Sequence, residues 1–325
     1  VHNKEESMST IRPTSSLFPN APVRIVDVTA RDGLQNETDI VPTDTKLELI
    51  QHLVDAGHKD IEVTSLVRPS WIPQLADAEL LLRNLPVAED VRFWALIPNR
   101  KGMERALNVG VKHVATFMSA SNTHNRKNLN RTQLESLENI RIVTEMALDE
   151  GATVRAYLST VFGCPYEGDV AVETTVELTQ KLLALGISEI SLGDTTGMGN
   201  PVLVEKVIQG LIDANVPLDK IALHMHDTQG TGLANILAGY QMGVRTFDAS
   251  TAGVGGCPYA PGASGNVATE DLINLFHKMG CDTGVDLEKA AMAGQFLANA
   301  LQKPLPGSFH KYFSASCSTS DKTTA

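Results

Sequence analysis

A chain of 325 residues is long enough for one large domain or two ordinary ones. Hydrophobic residues at 42% and charged residues at 20% are ordinary for a globular protein and exclude wholesale disorder. A net charge of −11 argues against broad attraction to nucleic acid or an anionic membrane, so an anionic substrate needs a bound cation or specific Arg and Lys side chains.

The first 20 residues contain Glu5 and Glu6 and no apolar run. They read as a flexible segment, not as a signal or transit peptide. Residues 23–29 then form the first apolar strand pattern, ending in Ala30-Arg31-Asp32-Gly33, and Pro42 opens a helix reaching Gly57. The alternation repeats along the chain. Strands are expected at 61–66, 91–97, 111–119, 153–161, 189–194, 221–227 and 246–252. Helices are expected at 71–85, 101–110, 132–151, 170–186, 201–214, 233–243 and 267–280, with an extra helix at 287–301 and a flexible tail over 304–325. Gly57, Gly110, Gly151, Gly186, Gly243 and Gly280 stand where helix C-termini favour glycine. Eight strand–helix units and no internal linker predict one TIM (β/α)8 barrel over 21–303, with a C-terminal helix. A doubly wound sheet would usually stop near five or six strands. No run approaches 18 apolar residues, so no membrane span is expected.

A barrel places its chemistry at the C-terminal ends of the strands. Arg31 and Asp32 follow the first strand, Glu62 and Ser65 lie on the second, and Asp194 ends the sixth. In Leu223-His224-Met225-His226-Asp227 the period of two turns both imidazoles to one face. Asn266 and Glu270 stand where the last helix begins. Asp32, His224, His226 and Asn266 together make a mixed oxygen and nitrogen ligand set with open positions, suited to Mg²⁺ or Mn²⁺, with Zn²⁺ or Fe²⁺ chemically possible. Each also has an ordinary structural reading: Asn266 as a helix N-cap, Asp32 as a turn residue before Gly33, the histidines as packed or hydrogen-bonded side chains. Asp27, Glu62, Arg155 and Asp248 sit mid-strand, where Arg155 is expected to balance carboxylates beneath the ion. One or two of the four face the helix layer in the plainer reading.

Four cysteines without a CxxC pair point to free thiols in a reducing compartment, and the cytoplasm is the expected location. Cys257 lies in the glycine-rich run Gly253-Val254-Gly255-Gly256-Cys257 on the functional face, so a mobile loop can carry its thiol over a substrate. Cys164, in a similar Cys-Pro-Tyr run, is expected to be structural. Asn125-Arg126-Lys127-Asn128 is a small basic island that reads as a solvated loop or as a contact for phosphates.

Four segments carry a resemblance: residues 30–37, Ser191-Leu192-Gly193-Asp194-Thr195, His224-Met225-His226-Asp227-Thr228, and 255–266 with its Gly-Gly-Cys-Pro-Tyr start. From about Val23 to Leu301 the chain resembles the 3-hydroxy-3-methylglutaryl-CoA lyase family, within the metal-dependent TIM-barrel lyases and condensing enzymes. The Arg-Asp and His-x-His motifs are common to that superfamily; the cysteine-bearing run is specific to the lyases. The resemblance implies retro-Claisen cleavage of 3-hydroxy-3-methylglutaryl-CoA to acetoacetate and acetyl-CoA, a reaction of leucine degradation and ketone-body formation. It implies that Arg31 stabilises the developing enolate and that Cys257 protonates it. The base is open among His224, Asp32 and Glu62. Asp194 and Glu270 are expected to orient ligands and Arg31, and Gln35, Ser65 and Arg155 to support the substrate site. The implied partners are a CoA thioester and a second copy in a homodimer. Two departures bear on acyl fit: Thr29-Ala30-Arg31 replaces the family's Gly-Pro-Arg, and Thr38 stands where animal enzymes carry Lys. The alternatives are a lyase for bulkier 3-hydroxy-3-alkylglutaryl-CoA, and a Claisen-condensing synthase, whose relatives lack the cysteine-bearing loop.

Overall fold

Eight apolar runs, each followed by a helix, become eight parallel strands that close on themselves in sequence order, β1 pairing with both β2 and β8. The computed structural model describes residues 22–257 and 260–320, with side chains described except at 257–264 and 317–320. The first half runs β1 (Arg24–Asp27), α1 (Thr43–Asp55), β2 (Asp60–Ser65), α2 (Ala78–Arg83), β3 (Arg92–Leu96), α3 (Arg100–Asn108), β4 (His113–Ser119), α4 (Asn122–Leu129) and α5 (Gln133–Asp149). The second half runs β5 (Thr153–Ser159), α6 (Val172–Ala184), β6 (Glu189–Asp194), α7 (Pro201–Asp213), β7 (Ile221–Met225), α8 (Gly232–Gln241) and β8 (Thr246–Ala249). A short antiparallel pair, β9 (Gly256–Cys257) and β10 (Ala260–Ser264), precedes α9 (Thr269–Lys278), α10 (Leu287–Leu301) and α11 (Ser308–Ser320). The TIM barrel expected from the sequence is the observed fold. The six glycines expected at helix ends all adopt positive φ.

Outward strand residues such as Ile25, Ile61, Val63, Val154 and Phe247 are buried beneath the helices. The interior is different. Arg155 lies 2.9 Å from Asp248 on β8 and 3.1 Å from Glu189 on β6, while Asp60 on β2 meets Arg24 on β1 and Arg92 on β3. Arg155 and Asp248 stand on strands that do not pair, so they meet across the lumen, and the pairs between neighbouring strands extend this ion-pair lattice beside a small apolar layer of Leu96, Ala115 and Tyr157. Buried charges persist only when paired, and removing one partner strands the other. Asp27 is the exception among the four mid-strand charges. Its carboxylate accepts from Thr29 N, Thr251 Oγ1 and Thr269 Oγ1, on the side of α9 and not in the lumen.

Three segments depart from the sequence expectation. Residues 125–128, expected as a solvated loop, lie within α4 at Asn122–Leu129, because Ser121 caps its first turn by accepting from His124 N. Residues 71–85 break into a short turn at Pro73–Leu75 and α2. The tail expected over 304–325 instead contains α11, whose first amides, Ser308 N and Phe309 N, donate to the Asp271 carboxylate. The expected flexible segment 1–20 and residues 321–325 lie outside the described residues, as does the side chain of Cys257. Among the described residues, no helix is long and apolar enough to cross a membrane.

Candidate active site

The chain leaves β1 through a wide turn at Thr29–Gly33, in which Gly33 N reaches Val28 O at 3.1 Å and Leu34 N reaches Thr29 O at 2.9 Å. Such i→i−5 turns are rare and often mark functional sites. This one presents Arg31 and Asp32 side by side at the barrel mouth. Gly33 is needed for a close approach, since a Cβ there would lie 2.7 Å from Val254 Cγ1 and 2.8 Å from Ser250 Oγ. Thr29, the departure from Gly-Pro-Arg, has a local use: its Oγ1 accepts from Thr251 N at 2.7 Å, tying the turn to the end of β8.

At the end of β7, the Nε2 atoms of His224 and His226 lie 3.3 Å apart, and His224 Nε2 is 3.9 Å from Asp32 Oδ2. The ligand atoms of Asp32, His224 and His226 all fall within 4.8 Å of one another. Asn266 joins them because residues 265–267 run beside the strand end: His226 and Asn266 form a backbone bridge, and Asp227 N donates to Gly265 O at 2.7 Å. Asn266 Nδ2 donates to Asp32 Oδ2 at 2.9 Å. It does not cap α9; Ala268 holds that position without a side-chain bond. Asp32 likewise spends its oxygens on Arg31, Gln35 and Asn266.

The donor chemistry fits a divalent cation. Burial, then the neighbouring His224, lowers His226 to about 3, so its ring is neutral with lone pairs to offer. Burial works against the Asp32 charge, but Arg31 and the two histidines outweigh it and bring the carboxyl to about 2. The neutral His226 imidazole, the His224 ring and a carboxylate, with an amide beside them whose flip turns an oxygen inward, form a ready ligand set. Asp248 lies behind it. Its Oδ2 is 3.3 Å from His224 Nδ1 and accepts from Ser191 Oγ at 2.6 Å, while Arg155 Nη2 holds Oδ1 at 2.9 Å. A carboxylate behind a ligating histidine fixes its tautomer and ring plane. Arg155 overcomes the burial that would raise Asp248 and keeps it well below the carboxylate range.

Arg31 is buried yet charged. Burial opposes the charge; Asp32 and Glu62, both hydrogen-bonded to the guanidinium, outweigh it and raise the pKa. Glu62 is held from the other side by Tyr157, whose hydroxyl donates at 2.5 Å. Burial pushes that phenol well above its usual value, so it stays a donor. Arg31, Asp32, Gln35, Ser65, His224 and His226 line a cleft of about 420 Å³ together with Leu96, Phe117, Leu129, His124 and Arg131. Trp71, which is exposed, and Gly256, the residue before Cys257, also line it.

The other expected residues fall outside the cleft. Arg155 is wholly buried, bound to Asp248 and Tyr157, so it supports the site from below without reaching a substrate. Asp194 accepts from Met198 N at 3.0 Å and Gly199 N at 3.1 Å, bracing the turn after β6; burial raises it to about 6. Glu270 accepts from Ala252 N at 2.6 Å. Among the described residues, no hydrogen bond joins Asp194 or Glu270 to Arg31. Ser65, by contrast, lines the cleft, but its hydroxyl donates to Leu96 O at 3.0 Å. Cys164 is buried as expected, its thiol 3.0 Å from Ser121 Oγ. In the basic island, Asn125 is buried and accepts from Ser119 N at 3.0 Å, while Arg126 and Lys127 are exposed. Tyr157 escaped the sequence reading. It lies two residues beyond Arg155 on the same strand, and the period of two was the signal that could have found it.

The HMGL-like family model matches residues 22–297. Over 294 residues the chain is 47% identical to hydroxymethylglutaryl-CoA lyase YngG of Bacillus subtilis, covering 90% of this chain and 98% of that protein. A solved structure of the Bacillus subtilis HMG-CoA lyase superposes with a TM-score of 0.89 at 46% identity, covering 91% of this chain and 99% of the other. An HMG-CoA lyase from Acinetobacter baumannii, in complex with coenzyme A and 3-methylmalate, superposes with a TM-score of 0.85 at 37% identity, covering 93% and 96%. With the barrel, the Asp-His-His cluster and this similarity over nearly the whole length, the chain belongs to the HMGL-like family.

Proposed function

We infer that the chain is a carbon–carbon lyase that cleaves 3-hydroxy-3-methylglutaryl-CoA to acetoacetate and acetyl-CoA. One observation carries this reading. Arg31, held charged by Asp32 and Glu62, lies directly beside the cation ligand set at the floor of one cleft. The relative from Acinetobacter baumannii binds a hydroxy dicarboxylate together with coenzyme A, the two halves such a site must seat.

Asp32, His224, His226 and Asn266 would hold a divalent cation, Mg²⁺ or Mn²⁺ in this proposal. When bound, it supplies Lewis acidity toward hydroxyl and carboxylate oxygens and orients the substrate. The chain's own groups do the rest. A base among His224, Asp32 and Glu62 takes the C3 hydroxyl proton. The C2–C3 bond then breaks, C3 becomes the ketone of acetoacetate, and the electron pair passes to C2 as the enolate of acetyl-CoA. The Arg31 guanidinium faces the thioester oxygen and stabilises the negative charge arriving there. The Cys257 thiol protonates C2, and the proton held by the base restores the thiol. Asp248 keeps the His224 ring in one orientation throughout. A homodimer, a cytoplasmic location and a place in leucine degradation complete the proposal.

The test is proton exchange. Metal-loaded wild type with an acetoacetate analogue should exchange the methyl protons of acetyl-CoA with deuterated water, and Cys257→Ala should bind metal normally yet lose exchange and cleavage by ~10²–10⁴. Normal exchange in the alanine variant removes Cys257 from the mechanism.

A further inference from the structure

The loop between β2 and α2 brings Val67, Trp71 and Ile72 to the cleft. Trp71 is 75% exposed, so its ring stands where the cleft meets solvent. A lone exposed aromatic needs no explanation. This one rides a loop that is held from behind by a buried, fully bonded polar set.

The set is centred on Gln74, three residues on, which is 2% exposed. Its Oε1 accepts from Val41 N at 2.9 Å, and its Nε2 donates to Asp39 O at 2.8 Å. Residues 39–41 belong to the segment after the β1 turn, whose Gln35 and Asn36 also line the cleft. Behind Gln74 stands Lys46, on the first turn of α1 and 1% exposed. Its ammonium donates to Gln74 O at 2.5 Å and to the two Asp77 oxygens at 2.9 and 3.0 Å. Thr43 Oγ1 donates to Asp77 Oδ2 at 2.8 Å. A buried ammonium is tolerated only when paired, and these bonds supply its partners. Together they fix the loop against the segment after β1. Pro73, whose ring restricts φ, stiffens the link from Gln74 back to Ile72 and Trp71.

The cleft has two parts to seat in the proposed reaction. The cation ligand set and Arg31 take the acyl end of the thioester. The rest of coenzyme A then runs toward solvent, where Trp71 offers a flat apolar surface that is already ordered and so binds at a lower entropic cost. We propose that Trp71 is a substrate-binding residue that covers the arm of coenzyme A beyond its cysteamine end, and that Gln74 is a positioning residue that holds Trp71 there. The proposal rests on the reading of the substrate as a CoA thioester.

The experiment uses metal-loaded wild type, Trp71→Ala, Trp71→Phe, Gln74→Met and the double variant of Trp71→Ala with Gln74→Met. Each is given 3-hydroxy-3-methylglutaryl-CoA and the matching N-acetylcysteamine thioester, which lacks the arm. Trp71→Ala should raise KM for the CoA thioester about tenfold with kcat nearly unchanged, as when binding common to ground and transition states is lost. Its preference for the CoA thioester over the truncated one, as a ratio of kcat/KM, should fall by the same factor. Trp71→Phe should recover most of that preference. Gln74→Met, close to glutamine in length but without its amide, should reproduce part of the loss and add nothing once Trp71 is alanine. An unchanged preference in Trp71→Ala overturns the binding role. A loss in Gln74→Met that falls equally on both thioesters, or that adds to Trp71→Ala, overturns the positioning role. If wild type cleaves neither thioester, the reading of the reaction fails and calorimetry with coenzyme A alone decides the proposal. Trp71→Ala should then raise Kd about tenfold. An unchanged Kd, or no binding by wild type, overturns it.

Discussion

Arg31 keeps its charge in a buried position because Asp32 and Glu62 flank it and Tyr157 fixes Glu62. A cation held this way meets the enolate more strongly than the thioester ground state, so Arg31→Gln should lose ~10²–10³ in kcat with little change in KM. Steady-state kinetics decide the point: a raised KM with normal kcat would make Arg31 a binding residue only. Glu270 yields a second prediction, about stability. Burial lifts its carboxyl from the ordinary 4.5 to about 8. The folded state therefore holds this proton more tightly than the unfolded state. The resulting stability is fully present below pH 4.5 and is lost as pH rises through about 8, at up to about 1.4 kcal/mol per pH unit. Glu270→Gln removes this dependence, so urea melts should show the variant gaining on wild type from pH 5 to pH 9. A constant difference across that range would contradict the assignment. At this scale the ligand set was legible in the sequence, because the period of two aligns His224 with His226 and strand ends expose polar residues. The roles of Asp194 and Glu270 were not. Their carboxylates serve backbone amides four to five residues ahead and 18 residues behind, respectively, and residue type does not reveal which amides those are.

The turn after β1 and the segment after β8 are the elements on which the site depends. They pack against each other at Gly33, with no room for a methyl group between that residue and Val254. Gly33→Ala should push the two apart and displace Asp32 from the histidines. Metal titration should then show affinity weakened about 10- to 100-fold, the usual effect of disturbing the shell behind a ligand, with far-ultraviolet circular dichroism unchanged. Unaltered affinity would mean that the turn adapts without moving Asp32. The long amphipathic helices and apolar strands were legible from periodicity. Helix α4 was not, because Asn122–Leu129 is polar almost throughout and owes its helix to the Ser121 cap and to buried Asn125. Helix α11 was hidden by its Ser-rich composition. Its start is secured by Asp271, a partner on another helix that no local pattern announces.

The whole molecule was legible as a barrel because eight strand–helix units leave few other closed solutions. Its lumen was legible only in part. Mid-strand Glu62, Arg155 and Asp248 predicted a charged interior, and the lattice that joins Asp248 to Arg155 and sets Asp248 behind His224 gives that interior a purpose. Asp27 did not follow, since its strand turns it toward α9. The net charge of −11 makes local cations essential for an anionic thioester. At the scale of the whole molecule, the proposed reaction is retro-Claisen cleavage driven by a cation that Asp32, His224, His226 and Asn266 would hold, with Arg31 beside it. The direct measurement is the product stoichiometry from 3-hydroxy-3-methylglutaryl-CoA before chelation, after chelation, and after return of Mg²⁺ or Mn²⁺. Acetoacetate and acetyl-CoA should form in equal amounts, stop on chelation and resume with the ion. Undiminished cleavage by metal-free protein, or no cleavage by metal-loaded protein, would contradict it.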